Sequence, residues 1–344
     1  MIEAPNPKNN LKSPEIVTVG TVNVDLIMGP QAPWPIPGTE VILPDANLRE
    51  GGGAGITAKA LTALGIRHRM VVNIGNDLFG DWLMKQYPDL IDDWIIDSVD
   101  TALTVGITHP DGERTFFSTP GHVAQFQPLE LQNKLAGMDL NNVVVLFVGT
   151  SLMPTIRPAL IKIFEFVKSK GGLIALDTAW PTDGWTKSIR TEVLSWIPYT
   201  DIVLLNEAEA HGLLADQTPQ SSKTTSLDYQ SILKQMSPNS LFVTKLGKDG
   251  ARVDRLGSPP LIKKSGETIV KDTIGAGDSF NAGFLAAYAR SQSIETCLQV
   301  AVDTARHAIS SHPRCYPGSQ DVGLKDYPDQ RSAQKIFKKR KQAV

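Results

Sequence analysis

Four short apolar runs, rich in valine, isoleucine and leucine, recur along the second half of this 344-residue chain, and segments of helical character separate them. The runs are residues 143–148, 172–177, 201–205 and 240–244. Strands covered on both faces have this composition, and parallel strands need a crossover that is usually a helix. The alternation therefore predicts an α/β protein with a mostly parallel sheet flanked by helices.

The first half of the chain contributes further elements of this kind. Residues 15–28 begin as an apolar, β-branched run that predicts a strand covered on both faces, although Gly20 interrupts it. Residues 51–65 pass from a glycine loop into a helix, for which Gly65 is the expected C-terminal stop. Residues 70–74 predict the next buried strand.

Two stretches break the alternation and are expected outside the parallel sheet. Residues 29–38 contain four prolines, which excludes a central strand or a helix there. Residues 102–118 predict a β-hairpin with Pro110-Asp111-Gly112 as its turn.

The charge balance and the cysteine content exclude several classes of protein. With 34 basic and 36 acidic side chains the formal net charge is −2, so nothing indicates nucleic acid as a main partner. Two cysteines are too few for a disulfide framework or a metal cluster. The N-terminus lacks the apolar core of a signal peptide, and no apolar run is long enough to span a bilayer. A cytoplasmic protein without a membrane partner is therefore expected.

The two ends of the chain differ from its middle. The polar, proline-bearing residues 1–14 predict a flexible leader, and residues 331–344 predict a basic C-terminal tail. The run 335–341 in this tail is interpreted as a solvated helix end or frayed terminus rather than as a targeting or nucleic-acid signal. Residues 15–330 are left as the folded domain.

The segment 271–288, KDTIGAGDSFNAGFLAAY, is the most informative motif. Three aromatic residues spaced four apart predict a buried helix that begins near Ala276. Gly275, Ala276 and Gly277 are small, so the backbone can approach a ligand closely. The first amides of a helix lack internal partners and lie at its positive end, so this turn predicts an anion hole suited to the γ-phosphate of ATP.

Asp278 lies in the first turn of that predicted helix. A carboxylate there is close to the phosphate and can accept the proton of an attacking hydroxyl, and the positive helix end is expected to keep it ionised. Phosphoryl transfer depends mainly on positioning and charge stabilisation, so Asp278, the anion hole and Mg²⁺ suffice. For a lone Gly-x-Gly-Asp, an ordinary glycine turn with a first-turn acid would be the alternative.

The string Asp272–Phe280 resembles the second signature of the ribokinase-like (PfkB) carbohydrate kinases, D-T-x-G-A-G-D-x-F, and the resemblance extends in family order from about Val17 to Ser319. It implies a three-layer α/β/α ribokinase-like fold with a small β lid over the sugar, formed near residues 32–50 and 101–121. It also implies an ATP-dependent kinase that phosphorylates a hydroxyl of a small sugar or sugar derivative, with 15–330 as the kinase domain.

The resemblance implies substrate-binding positions in the N-terminal half. Asn23 and Asp25 match the strand-end position that bonds sugar hydroxyls, and Gly51 and Gly52 match a glycine pair beside the substrate. Many relatives have lysine where this chain has Gly53, and the missing cation favours an unphosphorylated acceptor. The local spelling G-x-G-x-G leaves a dinucleotide site as a poorly matched alternative.

Positions for the nucleotide and its metal follow later in the chain. Asn206 and Glu209 match an N-x-x-E element that organises Mg²⁺ through water, and the same pair also fits a helix capping box. Thr244, Lys245 and the turn from Gly247 to Gly250 resemble the loop that binds nucleotide phosphates. The sequence G-x-x-x-x-G-K-[ST] is absent, which excludes a P-loop.

Asp272 opens the signature, and in relatives its neighbourhood binds a monovalent cation. K⁺ is therefore a further candidate cofactor. Residues 310–316 depart from the family's run that completes this site, so potassium dependence stays open.

Two other functions are compatible with the sequence. One is a nucleoside kinase of the same superfamily, because Trp34, Phe116 and Phe117 in the lid region could stack on a base. The other is a sugar- or nucleotide-binding regulator without catalysis, against which the retained Asp278 argues. In each case a homodimer through the exposed face of the lid is plausible, because a two-stranded flap is only marginally stable alone.

Overall fold

The computed structural model of the protein describes residues 14–111, 113–215 and 227–325, and every element named below lies within them. The strands are β1 (Ile16–Gly20), β2 (Asn23–Gly29), β3 (Asp45–Gly51), β4 (His68–Val71), β5 (Asn73–Gly75), β6 (Ile95–Asp97), β7 (Leu103–Thr108), β8 (Arg114–Ser118), β9 (Val144–Val148), β10 (Leu173–Asp177), β11 (Ile202–Asn206), β12 (Leu241–Lys245), β13 (Ala251–Asp254) and β14 (Leu261–Lys263). The α-helices are α1 (Gly53–Ala63), α2 (Leu78–Gln86), α3 (Pro128–Ala136), α4 (Leu160–Ser169), α5 (Lys187–Trp196), α6 (Glu207–Leu214), α7 (Tyr229–Leu233), α8 (Ala276–Ala289) and α9 (Ile294–Ile309).

The central sheet has eight strands in the order β14-β13-β12-β11-β10-β9-β1-β4. The six strands from β12 to β4 run parallel, and β13 and β14 add an antiparallel edge. The four apolar runs of the second half form β9 to β12, each within one residue of its predicted limits. The predicted α/β class with a mostly parallel central sheet is confirmed.

Both faces of the central sheet are covered. Successive side chains of a strand point to opposite faces, so a buried strand needs apolar partners on each side. In β9, Val144, Leu146 and Val148 pack into a core that includes α1, α8 and α9, whereas Val145 and Phe147 pack with α3 to α7. The sheet is therefore the middle layer of a three-layer α/β/α structure.

Four strands in the order β3-β2-β7-β8 form a separate sheet, called the lid sheet below. Strand β2 pairs with β3 and β7, and β7 with β8 is the hairpin predicted over residues 102–118. Gly112 of its predicted turn lies outside the described residues.

Three sequence predictions about these strands are wrong in part. Residues 15–28 form two strands, because after Gly20 the continuous apolar run becomes an alternation with polar residues, which suits a strand covered on one face only. Residues 70–74 are also divided, since β4 pairs with β1 and β5 pairs with β6. Within 32–50 only β3 is a strand, and the lid sheet includes β2, which was not predicted to join it.

The lid sheet has two different faces. The strand register places Arg49, Asp25 and Thr104 side by side on one face, which is called the inner face because its side chains contact the turn before α8. Phe116 lies on the same face, two residues further along. Phe117 lies on the opposite, outer face.

The side chain of His122 bridges two segments at the edge of the lid sheet: the residue before β7 and the turn between β1 and β2. The side chain is fully buried, and its Nδ1 accepts the Ala102 amide at 3.0 Å while its Nε2–H donates to the Val22 carbonyl at 3.0 Å. Burial lowers the pKa of His122 to about 4, so the imidazole is neutral at physiological pH. A neutral histidine thus satisfies one buried donor and one buried acceptor at the root of the lid sheet.

We predict that His122→Ala lowers the free energy of unfolding by about 2–3 kcal/mol at pH 7.5, because it leaves a buried amide and a buried carbonyl without partners. The folded pKa lies below the unfolded value of 6.5, so this stabilising contribution is complete above pH 6.5 and is lost as the pH falls towards 4. Urea unfolding at pH 7.5 and pH 5 measures both effects. His211→Ala, at an exposed site, is the control, and an equal loss in both variants would contradict the assignment.

In the part of the chain that the structure describes, no helix has the length and apolar character needed to cross a bilayer. The predicted basic tail at 331–344 lies outside the described residues, and so does the predicted leader apart from Pro14.

Candidate active site

The carboxyl ends of the parallel strands meet at one edge of the central sheet. Strand β1 has β4 on one side and β9 on the other, so the chain leaves in opposite directions at this point. Ligands of open α/β sheets bind outside the carboxyl ends at such a switch point. Asp177, Asn206 and Lys245 are the last residues of β10, β11 and β12, and the N-terminus of α8 lies at the same edge, with Gly277 against the Lys245 side chain.

The turn before α8 has the form expected of an anion site, with one correction. Gly275 caps the helix with φ 73°, a left-handed conformation that favours glycine. The amide of Ala276 donates to the Thr273 carbonyl at 3.2 Å, because a tight turn precedes the helix, so this amide is not free as predicted. Among the described residues, no backbone carbonyl accepts the amides of Gly277 and Asp278. The candidate anion hole therefore keeps the predicted amide of Gly277 and gains that of Asp278, whereas the predicted amide of Ala276 is already bonded.

Asp278 lies between two helix N-termini. A Cβ at Gly53, the first residue of α1, would be 3.1 Å from its Oδ1, so glycine there allows the two helices to approach. Burial and, to a smaller extent, the carboxylate of Asp177 raise the pKa of Asp278 to about 6, against the opposing effects of Lys245 and Arg314. The expectation that the helix end keeps this acid fully ionised was incomplete, because desolvation outweighs the favourable charges. A pKa near 6 still leaves most of the group ionised at pH 7, as a general base requires.

A buried lysine crosses the space between β12 and α8. Lys245 Nζ is 2.7 Å from Asp177 Oδ2 and 3.3 Å from Asn281 Oδ1, and Asn281 Nδ2 donates to the same Asp177 oxygen at 2.7 Å. Burial alone would lower the pKa of Lys245, but the carboxylates of Asp177, Glu209 and Asp278 raise it above its ordinary value. The ammonium therefore stays charged beside the candidate base.

Asn206 and Glu209 form the capping box of α6. The Asn206 amide donates to Glu209 Oε2 at 2.9 Å, and the Glu209 amide donates to Asn206 Oδ1 at 2.8 Å. Burial raises the pKa of Glu209 to about 7, and Asp177 contributes to the rise. The helix cap uses Oε2 of Glu209, so the capping role does not by itself conflict with the predicted contact to Mg²⁺ through water.

The charges at this edge are unbalanced. Asp177, Glu209 and Asp278 are called the acid cluster below. Asp177 raises the pKa of both Glu209 and Asp278, and Lys245 is the cation that all three share. A divalent cation would reduce this excess of negative charge. Among the described residues, no three acidic, histidine or cysteine side chains are close enough to hold a metal ion by themselves. This fits Mg²⁺, which keeps several waters and is held jointly by one or two carboxylates and by phosphates.

Asn23 and Asp25, which are predicted to bind the substrate hydroxyls, lie on the inner face of the lid sheet. Asn23 Nδ2 donates to Asp25 Oδ1 at 2.6 Å and contacts Thr104 Oγ1 at 3.3 Å. A Cβ at Gly51 would collide with the Asp25 carboxylate, which explains why the last residue of β3 is glycine. Burial raises the pKa of Asp25, although Asn23 and Arg49 oppose the rise. Asp25 and Asn23 thus form a pre-arranged polar pair at the lid.

Three arginines surround Asp272. Its Oδ2 contacts Arg49, and its Oδ1 accepts from Arg114 Nη2 at 3.1 Å. Arg314 Nη2 lies 3.5 Å from Oδ2, and the Ile274 amide donates to Oδ1 at 2.9 Å. Burial would raise the pKa of Asp272, but the Ile274 amide and the arginines lower it below its ordinary value. Both carboxylate oxygens thus face guanidinium groups, and a monovalent cation at Asp272 stays a prediction.

The remaining residues predicted to bind the nucleotide, Thr244, Gly247 and Gly250, do not all lie at the site. Thr244 is fully buried, and its hydroxyl donates to Tyr229 on the side opposite Lys245, so its side chain does not reach the site. Gly247 and Gly250 have positive φ angles of 58° and 98° and form a tight turn directly after β12. Their backbone remains at the carboxyl edge of the sheet, next to Lys245.

Sequence reasoning missed several side chains of the site. Asp177 was interpreted only as a strand end, yet it binds Lys245 and Asn281. Its position at the end of an apolar run gave a usable signal, because neighbouring parallel strands end at the same edge. The three arginines around Asp272, which are Arg49, Arg114 and Arg314, had no such signal, since they come from β3, β8 and a loop far apart in sequence.

The chain is similar to known kinases both in sequence and in fold. Residues 13–319 match the family model of the pfkB family carbohydrate kinases. A nucleoside kinase of Methanocaldococcus jannaschii is 23% identical over 308 residues, which cover 87% of this chain and 92% of that protein. The 2-dehydro-3-deoxygluconokinase of Escherichia coli (strain K12) is 26% identical over 236 residues, covering 63% of this chain and 72% of that protein. The solved Arabidopsis thaliana ribokinase, complexed with ribose and ATP, aligns with a TM-score of 0.72 at 21% identity and covers 92% of this chain and all of that one.

A three-layer α/β/α structure, with a lid sheet and an acid at a helix N-terminus, defines a ribokinase-like small-molecule kinase. The chain belongs to the pfkB family of carbohydrate kinases, because the family model matches most of its length. The resemblance inferred from the string Asp272–Phe280 is thus confirmed, as is the ribokinase-like fold.

We predict that Asp278→Asn stabilises the protein at neutral pH. The folded pKa of about 6 exceeds the ordinary 3.8, so the charged form is disfavoured in the folded state, and stability is lost as the pH rises from about 4 to above 6. At about 1.4 kcal/mol for each tenfold change, the shift corresponds to at most about 3 kcal/mol. Thermal unfolding of both proteins should show nearly equal stability at pH 4 and a more stable variant at pH 7.5.

Asp77→Asn is the matched control with the opposite sign. Asp77 caps α2, and despite its burial the hydrogen bonds from Thr101 and Gly80 lower its pKa. This substitution should therefore destabilise the protein at pH 7.5. A destabilising Asp278→Asn at that pH would contradict the assigned electrostatics of the site.

Proposed function

We propose that the protein transfers the γ-phosphoryl group of ATP to a hydroxyl of a small sugar or sugar derivative, with Asp278 as the general base. The observation on which this rests is the position of Asp278 in the first turn of α8, beside two backbone amides without carbonyl partners and across from the inner face of the lid sheet. The solved Arabidopsis thaliana ribokinase complexed with ribose and ATP supports ATP as the donor.

In this mechanism Asp278 accepts the proton of the acceptor hydroxyl as the hydroxyl oxygen attacks the γ-phosphorus. The bond to the β–γ bridging oxygen breaks, and ADP leaves with the electron pair. The amides of Gly277 and Asp278 donate to the oxygens of the transferred group, where charge increases in the transition state. Lys245 remains protonated because of the acid cluster, and its ammonium can balance phosphate charge from the β12 side.

Mg²⁺ would be held through water by Glu209 and would neutralise charge on the phosphate oxygens. The excess of carboxylates in the acid cluster supports this assignment. The turn Gly247–Gly250 remains the predicted site for the rest of the nucleotide phosphates, and the Thr244 side chain is not part of this proposal. A requirement for K⁺ stays a prediction without support from Asp272.

The acceptor is held on the inner face of the lid sheet in this proposal. Asp25 and Asn23 bond its hydroxyls. Gly51 leaves room for the Asp25 carboxylate, and Gly52 leaves room for the Thr21 carbonyl, so the predicted glycine pair would shape this side of the acceptor site. A nucleoside is the second candidate acceptor, because Phe116 on the same face is 49% exposed and could stack on a base. The sequence similarity to the nucleoside kinase of Methanocaldococcus jannaschii is compatible with it. A regulator without catalysis is disfavoured by the intact base and amides.

A coupled assay for ADP release, run with a panel of sugars, sugar acids and nucleosides, tests the proposal. Asp278→Asn should lower kcat by about 10²–10⁴-fold with the best acceptor, because it removes general-base catalysis, while the Kd for MgATP changes less than about threefold. Activity should also fall as the pH drops below about 6, when Asp278 becomes protonated. Equal turnover in the variant and the wild type would refute the assignment of the base.

We also propose that two copies associate through the outer face of the lid sheet. Leu48 and Phe117 on this face are 44% and 53% exposed, and Trp34 packs beside Phe117 with ring centroids 6.0 Å apart. An exposed apolar patch on a four-stranded sheet is typical of a protein–protein contact.

We predict that Phe117→Asp converts a dimer into a monomer, because the substitution places a charge in the apolar contact. Light scattering coupled to size exclusion, at about 10 µM protein, measures the mass. Leu129→Asp, which alters a 69% exposed residue of α3, is the control and should leave the mass unchanged. A wild-type protein that is monomeric at this concentration would exclude the lid contact.

A further inference from the structure

Three arginines converge on a single carboxylate at the boundary between the lid sheet and α8. Arg49 and Arg114 come from the inner face of the lid sheet, and Arg314 comes from the segment after α9. All three face Asp272, and their side chains are only 14%, 17% and 8% exposed. This group is called the arginine cluster below.

The arginine cluster has more hydrogen-bond donors than its surroundings accept. Asp272 is the carboxylate that contacts all three guanidinium groups, while Asp25 and Asp278 influence Arg49 and Arg314 only through longer-range charge interactions. Among the described residues, Arg49 Nε and Nη2, Arg114 Nε, and Arg314 Nε and Nη2 are buried without a hydrogen-bond partner. Lys271 and His312 line the small cavity beside the cluster, which has a volume of about 110 Å³. A buried guanidinium group with unused donors is costly unless an acceptor is supplied.

The cluster lies next to the place where the acceptor must bind. Arg49 is directly opposite Asp25 in the register of β2 and β3. A Cβ at Gly275, the cap of α8, would be 2.9 Å from Arg314 Nη1. The cluster therefore extends from the predicted sugar-binding acid to the predicted anion hole, whereas the acid cluster faces the ends of β10 to β12.

We infer that the acceptor of this kinase is anionic, and that Arg49, Arg114 and Arg314 bind its carboxylate or phosphate group under the lid sheet. This inference rests on the proposed function, and it replaces the expectation from Gly53 that no cation stands near the substrate. Guanidinium groups bind both kinds of oxyanion through paired, charge-assisted hydrogen bonds, so the shared chemistry is an anionic oxygen group. No bond is made or broken at this group, since the reacting hydroxyl lies at Asp278.

A simple latch between the lid sheet and Asp272 would not need this composition. One arginine suffices to pair with one carboxylate, and a second and third at the same carboxylate add desolvation cost. Arg114 in addition donates to the Thr273 hydroxyl at 2.8 Å, in the turn that leads into α8. An anionic acceptor would supply the missing acceptors and would hold the lid sheet against this turn, which couples substrate binding to closure.

Three matched probes separate the possible acceptors: D-fructose, 2-keto-3-deoxy-D-gluconate and D-fructose 6-phosphate. Titration calorimetry without ATP measures their affinity, so the result does not depend on turnover. We expect one of the two anions to bind at least about 30-fold more tightly than fructose, which identifies the carboxylate or the phosphate ester as the preferred group. In Arg114→Met this preference should fall about 30- to 100-fold, and Arg114→Lys should give an intermediate value.

The controls separate this inference from the kinase proposal. Arg69→Met, on the edge strand β4, removes an ion pair between the half-buried Arg69 and the buried Asp93, and it should change neither affinity nor preference. The KM for ATP in Arg114→Met should stay within about threefold of the wild type. Tighter binding of fructose than of both anions, or an equal loss for all three probes in Arg114→Met, overturns the inference while the kinase proposal stands. A chain that binds an anion tightly but lacks any ATP-dependent turnover would instead refute the kinase proposal alone.

Discussion

The desolvated carboxylate of Asp278 is the constraint around which the rest of the site is arranged. An acid with a pKa near 6 at the start of a helix is stable only if cations and amides offset part of its burial. Lys245 from β12 and Arg314 after α9 supply the cations, and α8 supplies amides. Each comes from a different part of the chain, so the central sheet must hold them in one place. The apolar cores on both faces of the sheet provide that rigidity.

Two opposite charge clusters result from this arrangement. The acid cluster at the ends of β10 to β12 has more carboxylates than cations, which suits a metal-bound nucleotide. In the arginine cluster three guanidinium groups contact one carboxylate and keep buried donors without partners, which suits an anionic acceptor. Asp278 lies between them and is influenced by Lys245 of one cluster and Arg314 of the other. This polarity is the basis on which we propose that the nucleotide and the acceptor bind on opposite sides of Asp278.

The lid sheet links the acceptor side to the phosphate side. Its inner face places Asp25 beside Arg49, and Arg49 and Arg114 reach the segment before α8. His122 fixes the root of the same sheet through a buried donor and a buried acceptor. An acceptor that bonds Asp25 and the arginine cluster would therefore tie the lid sheet to the turn that forms the anion hole.

The sequence by itself determined the parallel strands β9 to β12, the helix that begins at Ala276 and the motif with Asp278, because these depend on local periodicity and on short contiguous strings. It did not determine that residues 15–28 divide between two sheets, since a strand covered on one face and a strand covered on both differ only through their distant neighbours. Only the tertiary structure decided that Asp177 binds Lys245 and that three arginines surround Asp272. Such contacts join residues more than 40 positions apart, and no local pattern encodes the distance between two side chains.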